Sequence, residues 1–294
     1  MFLIILLCAS YFLYFRYSIL NDNNINYYGV DPRGLDAVVY ISMGKTSSSS
    51  FIDQSIKSVR KLGMWRGPLY VLTDSPMCFT HLEEYKISFI EIPKQPDIKS
   101  IKLLKTKLFE FIDNNSIKEI LYIDADILVA RELSTFFYDY ISITNAEDRK
   151  DEDFDFAGFP DAKGHFAGFC SGCDKWHTGV MIFRRELGLQ CLDTWASILK
   201  SGKYPTDQES LDNSYEYCPN AIELPTKHIL FAKDILGFLF LRGYTFLHLT
   251  GANKLAEQNY IYRQWLFPYF MQLFKSRIGI STDLKKNCEI STTT

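Results

Sequence analysis

The apolar residues in the first half of the chain form short runs that alternate with stretches of helical spacing. Runs rich in β-branched and aromatic residues predict strands over 36–42, 68–73, 87–92 and 120–124. Between them, 50–62 and 98–112 carry apolar residues at helical spacing, which predicts amphipathic helices. Strands that alternate with helices are typical of a parallel sheet covered by helices, so the pattern predicts an α/β fold.

The second half of the chain is less regular. Residues 156–176 are rich in glycine and aromatic residues, which is typical of a loop that faces a substrate. The elements predicted around and beyond this loop are strands over 179–183 and 244–249 and helices over 187–199, 207–215 and 264–277.

The N-terminal residues differ from both halves, because residues 1–15 are almost wholly apolar and Arg16 closes the run. A run that is apolar on every face favours a membrane segment over a buried helix. We therefore expect a hydrophobic signal anchor or transmembrane segment at 1–20. A linker or stem over 21–34, a folded domain over 35–280 and a polar tail over 281–294 complete the predicted organisation.

The anchor predicts a single-pass protein of the Golgi or endoplasmic reticulum. Its orientation stays open, because Arg16 on the C-terminal flank argues mildly against a lumenal domain. Seven cysteines leave six outside the apolar run, which permits lumenal disulfides. Cys170 and Cys173 fit either a local disulfide or two free thiols. The net charge of −3 gives no indication of nucleic-acid binding.

Two acidic residues interrupt the apolar run of 120–129. Asp124 and Asp126 follow the predicted strand, and the small Ala125 lies between them. Residues two apart on a strand point the same way, so both carboxylates can reach one cation. In open α/β sheets ligands bind beyond the carboxyl ends of the strands, where this pair lies. A strand end followed by an acidic turn is the alternative.

A second polar motif, nearer the C-terminus, complements this acidic pair. His248 opens the sequence His-x-x-Gly-x-x-Lys, which continues through Gly251 and Lys254. An imidazole can complete a carboxylate site for a divalent ion such as Mn²⁺. Glycine lets the backbone approach a ligand closely, and lysine supplies a point charge for phosphate. A metal, a glycine and a lysine together suit a diphosphate.

Four motifs occur here in the same order as in a known family. They are Asp-Ala-Asp after an apolar strand, Thr-Gly-Val before a hydrophobic residue, Asp-Gln at a helix start, and His-x-x-Gly-x-x-Lys. Over residues 35–275 the chain resembles the glycogenin-like glycosyltransferase family 8. The resemblance implies a GT-A fold, with a single Rossmann-like mixed sheet flanked by helices, and sugar transfer with retention at the anomeric carbon.

The resemblance also implies roles for individual residues. Asp124, Asp126 and His248 would hold Mn²⁺, with Mg²⁺ as a possible substitute. The residues implied to bind the donor and its metal are Asp124, Ala125, Asp126, Gly251 and Lys254. The residues implied near the transferred sugar or donor, as the catalytic set, are Asp207, Gln208 and Lys107. For Asp207 and Gln208, an ordinary helix N-cap is the alternative.

The implied function is the transfer of a hexosyl group from a UDP-sugar to a glycan, protein or lipid acceptor. One departure is His177, because family members often have an asparagine there that contacts sugar. A catalytically silent, membrane-anchored protein that binds sugar nucleotides is one alternative. A haloacid-type phosphatase is weaker, because its Asp-x-Asp normally begins the domain and is followed by a later Asp-Asp pair that this chain lacks.

Overall fold

The computed structural model describes residues 35–44, 47, 50–145, 154–160, 176–185, 187–231 and 244–248. Several predictions lie outside these residues: the anchor at 1–20, the linker at 21–34, the tail at 281–294, the helix at 264–277, the cysteines at 170 and 173, Gly251 and Lys254. None of the helices in the described ranges is long and apolar enough to cross a bilayer.

Ten strands and six α-helices are described. The strands are β1 (Ala37–Ser42), β2 (Leu69–Thr73), β3 (Ser88–Glu91), β4 (Glu119–Ile123), β5 (Ile127–Val129), β6 (Ala157–Pro160), β7 (Trp176–Arg184), β8 (Ile222–Glu223), β9 (Ile229–Phe231) and β10 (Phe246–His248). The α-helices are α1 (Ser50–Lys61), α2 (Ile98–Leu103), α3 (Leu108–Phe111), α4 (Ser134–Thr144), α5 (Leu189–Ser201) and α6 (Asp207–Asp212). Short 3₁₀ helices cover Pro76–Tyr85, Leu104–Lys107, Tyr215–Tyr217 and Thr226–His228.

The main sheet is mixed and has seven strands in the order β3-β2-β1-β4-β7-β6-β8. The first four in this order run parallel, which confirms the pattern of alternating strands and helices. Strand β7 runs antiparallel to both β4 and β6, which the sequence pattern did not indicate. The pairing of β6 with β7 shifts register between Gly158 and Phe159.

Apolar side chains are buried on both faces of this sheet. Val38 and Tyr40 of β1 belong to one core, which also contains buried residues of α1 and α4. Val39 and Ile41 belong to the other, which contains buried residues of α5. Because successive strand residues point to opposite faces, a strand buried on both sides reads as one continuous apolar run. The flanking helices therefore match the fold that the resemblance implied.

A smaller sheet has three strands in the order β5-β10-β9. Its first strand, β5, directly follows the acidic pair. Strand β10 pairs antiparallel with β5, so that His248 lies opposite Ile127. The imidazole of His228 contacts both Asp139 Oδ2 at 2.7 Å and Thr245 Oγ1 at 2.9 Å. These contacts connect α4 to the residue before β10, and they help to fix the strand that carries His248.

The helix predicted over 98–112 is interrupted in the structure. A 3₁₀ turn over Leu104–Lys107 separates α2 from α3, and Lys107 leaves the helical region with φ −129° and ψ 18°. A 3₁₀ turn changes the angular spacing of side chains, so the lysines of this segment point in different directions from those of a continuous helix. The prediction of one continuous helix over 98–112 was therefore wrong at Leu104–Lys107.

A disulfide joins Cys191 of α5 to Cys218, which follows the 3₁₀ helix Tyr215–Tyr217. The two cysteines enclose α6, which begins at Asp207. Thr206 caps this helix: its side chain accepts a hydrogen bond from the Glu209 backbone, and Glu209 bonds back to the Thr206 N–H. The cap and the disulfide both fix the position of Asp207.

Candidate functional site

The predicted acidic pair lies where the strand order of the main sheet reverses. Strands β1 and β4 are neighbours, and the chain continues from them to opposite sides of the sheet. Asp124 follows β4 directly, and its backbone N–H donates to the Gly179 carbonyl at 2.7 Å. The Ile127 N–H donates to the Asp124 carbonyl at 3.1 Å and closes a turn. The turn contains Ala125, which is buried, and Asp126, which is partly exposed. A reversal of this kind is the usual ligand crevice of an open α/β sheet.

One side of the site is a group of charged residues around a buried lysine, here called the lysine side: Lys102, Lys105, Asp124, Thr178 and Asp207. The amino group of Lys105 lies 3.1 Å from Asp124 Oδ1 and 2.9 Å from Asp207 Oδ2. It also donates to the Thr178 carbonyl at 3.2 Å. The second oxygen of Asp207 lies 2.9 Å from Lys102 Nζ, and Thr178 Oγ1 donates to Asp207 Oδ2 at 2.8 Å.

These contacts and burial together shift the pKa values of Lys105, Asp207 and Asp124. Burial lowers the pKa of Lys105, but the carboxylates of Asp124 and Asp207 outweigh burial and raise it above its usual value. Burial raises the pKa of Asp207, but Lys105 and Lys102 outweigh it and hold that pKa far below its usual range. Burial raises the pKa of Asp124 against the opposing effect of Lys105. Asp207 is therefore an anion in the folded protein at any ordinary pH.

The other side of the site, here called the histidine side, consists of Asp126, His177 and His248. His177 Nε2 and His248 Nδ1 are hydrogen-bonded at 3.0 Å. The other ring nitrogen of His248, Nε2, lies 3.6 Å from Asp126 Oδ2. Burial and the neighbouring His248 lower the pKa of His177, so its ring is neutral. The structure thus brings His248 to the acidic pair, as the sequence predicts.

Gly179 allows the two sides to approach each other. A Cβ atom at this position would lie 2.5 Å from His177 Cε1 and 3.0 Å from Asp124 Oδ2. Distances this short are steric clashes, so a side chain here would displace a residue of each side. The glycine of the Thr-Gly-Val motif is therefore explained by close packing.

The other predicted residues are not all brought together. Asp207 lies in the lysine side, and Gln208 Nε2 donates to the Trp176 carbonyl at 3.2 Å. Lys107 lies elsewhere, because its amino group contacts Glu110 at 2.9 Å and its side chain is 39% exposed. Lys105 occupies the cluster instead. The role in donor binding that the resemblance implies for Lys107 stays a prediction, and the described contacts of Lys107 do not support it.

Sequence reasoning missed Lys102, Lys105 and Thr178. The spacing of the two lysines was a usable signal, because side chains three residues apart lie on one face in an α-helix and also in a 3₁₀ helix. Thr178 belongs to the Thr-Gly-Val motif, but its hydrogen bond to Asp207 joins residues 29 positions apart. A contact of that range cannot be read from local pattern.

A divalent cation requires several oxygen or nitrogen ligands close together. Within the described residues, no three His, Cys, Asp or Glu side chains form a ready metal site. Asp124 contacts Lys105 and the Tyr122 hydroxyl, which leaves Asp126 and His248 as the closest pair of candidate ligands. Adjacent ligands on one divalent ion lie about 3 Å apart, close to the separation of this pair. A carboxylate has about four lone-pair positions, so Asp124 can still contribute one. Asp126 and His248, together with Asp124, are therefore the donor set from which a site for a divalent cation would be built.

The described residues form a known architecture. Their mixed seven-stranded sheet with flanking helices matches the GT-A fold. The chain is similar to the galactosyltransferase LgtC, solved in complex with donor and acceptor sugar analogues. The TM-score is 0.53 and the identity 15%, over 82% of this chain and 95% of LgtC. At this identity the likeness establishes the fold.

Two further similar structures are also glycosyltransferases. GlyE of Streptococcus pneumoniae TIGR4 matches with a TM-score of 0.49 and 14% identity, over 72% of this chain and 54% of GlyE. Mouse xyloside xylosyltransferase 1 matches with a TM-score of 0.47 and 10% identity, over 73% of this chain and 97% of that protein. No family model and no curated protein matches the sequence. The assignment of the fold rests on LgtC.

Proposed function

We propose that the chain is a retaining glycosyltransferase that moves a hexosyl group from a UDP-sugar to a glycan, protein or lipid acceptor. The observation that carries the proposal is the approach of His248 Nε2 to Asp126 Oδ2 at 3.6 Å. These residues are far apart in sequence, yet they meet at the carboxyl edge of a GT-A sheet. Transfer with retention is proposed from the resemblance to glycosyltransferase family 8.

Asp124, Asp126 and His248 are the proposed ligands of Mn²⁺ or Mg²⁺. When bound, such an ion neutralises the charge that develops on a diphosphate leaving group. Gly251 and Lys254 are proposed to contact the same diphosphate. Asp126 suits the entry of a cation from solvent, because its side chain is 36% exposed whereas His248 is 10% exposed.

Asp207 is proposed to act as a fixed negative charge near the transferred sugar. Both of its oxygens are held, one by Lys102 and the other by Lys105 and Thr178. A carboxylate with so low a pKa is a poor general base. It is better suited to stabilise positive charge on an oxocarbenium-like sugar, because its orientation is fixed before the reaction begins. Gln208, the next residue, is proposed to contact the sugar.

The decisive experiment is a screen of UDP-sugars for Mn²⁺-dependent hydrolysis, followed by transfer to candidate acceptors. Replacing Asp126 with alanine should abolish the metal-dependent reaction, because it removes the most exposed carboxylate of the proposed ligand set. Asp193→Ala is the matched control, and it should retain activity, since Asp193 is an exposed aspartate of α5 outside both sides of the site. Full hydrolysis by the Asp126→Ala variant would refute the proposed site.

The same screen separates the alternative functions. Stabilisation by UDP and Mn²⁺ without turnover of any UDP-sugar would identify a silent binding protein. Metal-dependent hydrolysis of a general phosphate ester, lost in Asp124→Asn, would identify a phosphatase.

We also propose that the protein works in an oxidising compartment as a membrane-anchored enzyme of the Golgi or endoplasmic reticulum. The Cys191–Cys218 disulfide supports this proposal, because disulfides persist in secretory compartments and are rare in the cytosol. Residues 1–20 are the proposed anchor. Protease protection of the tagged full-length chain in microsomes, with mass spectrometry of the Cys191 peptide under non-reducing conditions, tests both points.

A further inference from the structure

We infer that His177 is a positioning residue that selects the metal-binding tautomer of His248. The inference rests on the proposed metal site, and it assigns a role to the residue at which this chain departs from the family pattern. Two observations carry it: the hydrogen bond between the two rings and the direction in which the second nitrogen of His248 points.

The two nitrogens of His248 have different neighbours. Nδ1 lies 3.0 Å from His177 Nε2, within hydrogen-bond distance. Nε2 lies 3.6 Å from Asp126 Oδ2, on the side of the acidic pair. An ion shared by Asp126 and His248 would therefore bind Nε2 and leave Nδ1 for His177.

The positions of the protons follow from this assignment. A neutral imidazole carries one proton, and a ligating nitrogen must be the unprotonated one. The proton of His248 must then lie on Nδ1, from which it is donated to His177 Nε2. His177 must accept at Nε2, so its own proton lies on Nδ1. Metal-binding histidines generally donate their second N–H to an acceptor that fixes the tautomer and the orientation of the ring.

The surroundings of His177 suit a fixed acceptor. Its side chain is buried, being 3% exposed, and it lies on β7, where His177 pairs with Phe159 of β6. The two ring centroids are 4.5 Å apart with an interplanar angle of 64°, so the rings pack edge to face. A rigid strand and a close aromatic contact leave the His177 ring little freedom to move away from His248.

The experiment compares three replacements of His177 by their affinity for Mn²⁺, measured by electron paramagnetic resonance of the free ion. A glutamine amide can place an acceptor near the position of Nε2, whereas an asparagine amide is too short and phenylalanine has no acceptor. We expect His177→Phe to weaken Mn²⁺ binding by about 10–100-fold. His177→Asn should weaken it similarly, and His177→Gln should bind within a few-fold of the wild type.

A second measurement needs no variant. Long-range ¹H–¹⁵N spectra of the ¹⁵N-histidine-labelled, Mg²⁺-loaded protein report the tautomer of each ring. We expect the Nδ1–H tautomer for both His177 and His248. An Nε2–H tautomer of His248 in the metal-loaded protein would overturn the inference, as would equal Mn²⁺ affinity for the wild type and His177→Phe.

Two reference variants distinguish failure of this inference from failure of the proposed function. If Asp126→Ala and His248→Ala both bind Mn²⁺ as the wild type does, the metal site is wrong and the role of His177 is wrong with it. If both variants lose Mn²⁺ while His177→Phe retains full affinity, the metal site stands and the role of His177 is refuted. Should His177→Phe fail to fold, the comparison of glutamine with asparagine still decides.

Discussion

The carboxylates of the lysine side and of the histidine side differ in their neighbours and in their exposure to solvent. On the lysine side the counter-charges belong to the protein, and Lys105 and Asp207 are only 7% and 9% exposed. On the histidine side Asp126 Oδ2 lies 3.6 Å from the His248 imidazole, and the Asp126 side chain is 36% exposed. The carboxylates of the lysine side are thus paired with ammonium groups of the protein, whereas Asp126 is the more exposed carboxylate and lies near a neutral or titratable ring rather than a lysine.

This difference separates fold stability from ligand binding. Removing a charge from a buried pair leaves its partner uncompensated and destabilises the fold. Removing a partly exposed ligand costs the fold little but removes a binding interaction. Residues only a few ångströms apart should therefore respond differently to mutation. The first two of the four experiments below test this difference, the third disturbs both sides and the fourth concerns a residue outside them.

The largest expected effect is on the lysine side. Lys105→Met should lower the free energy of unfolding by about 3–5 kcal/mol, because Asp124 and Asp207 lose their shared cation. Urea unfolding followed by circular dichroism measures the change. Lys107→Met is the control from the same segment, and it should stay within about 0.5 kcal/mol of the wild type, since Lys107 is exposed. Equal unfolding midpoints for the two variants would remove the distinction between the sides.

The next effect concerns the histidine side and requires added metal. At a concentration about 100 times its dissociation constant, Mn²⁺ should stabilise the folded protein by about 2.7 kcal/mol. Thermal unfolding with and without Mn²⁺ measures this shift. Asp126→Asn should unfold like the wild type without metal but should lose the stabilisation. A full Mn²⁺ shift in that variant would show that the ion binds elsewhere.

Gly179→Ala should disturb both sides at once. The added Cβ would lie 2.5 Å from His177 and 3.0 Å from Asp124, and overpacking of this kind costs about 1–3 kcal/mol. Gly158→Ala, on the neighbouring β6, is a suitable control because its Cβ would meet no atom closer than 3.4 Å. Urea unfolding of both variants makes the comparison. A loss no greater than that of the control would mean that the strand adjusts freely.

The smallest effect is a pH dependence that arises outside both sides. Burial lowers the pKa of His228, against the opposing effect of Asp139, so the folded protein holds this ring neutral. The unfolded chain takes up a proton near pH 6.5, and therefore binds more protons than the folded protein below that pH. Stability should be fully present above pH 6.5 and should fall as the pH drops towards 5. His228→Gln should reduce this slope in urea unfolding, and an unchanged slope would exclude His228 as its source.

Local pattern was sufficient for the parts of the molecule that depend on neighbouring residues. The strands β1 to β4 and the helix α1 were predicted within a residue or so, because their apolar periods are regular. The acidic pair was predicted because Asp124 and Asp126 end an apolar strand. Strands β5 and β9 are each three residues long, too short for a period to be recognised, whereas β10 lies within the strand predicted over 244–249.

Long-range geometry was beyond that reasoning. The choice between Lys105 and Lys107 depends on the 3₁₀ turn that separates α2 from α3. The antiparallel direction of β7 has no periodic signature, because parallel and antiparallel strands have the same two-residue repeat. The contact of His177 with His248 spans 71 residues, and it became visible when β7 and β10 were placed in their sheets.

The register shift between β6 and β7 has an evolutionary consequence. Bulges next to active sites redirect side chains, and this one lies beside the stretch that holds His177, Thr178 and Gly179. The first two are hydrogen-bonded to His248 and Asp207 respectively, and the third packs closely against Asp124. An insertion or deletion in β7 would therefore disturb every part of the site together. We therefore expect the length of β7 to stay constant among relatives of this protein.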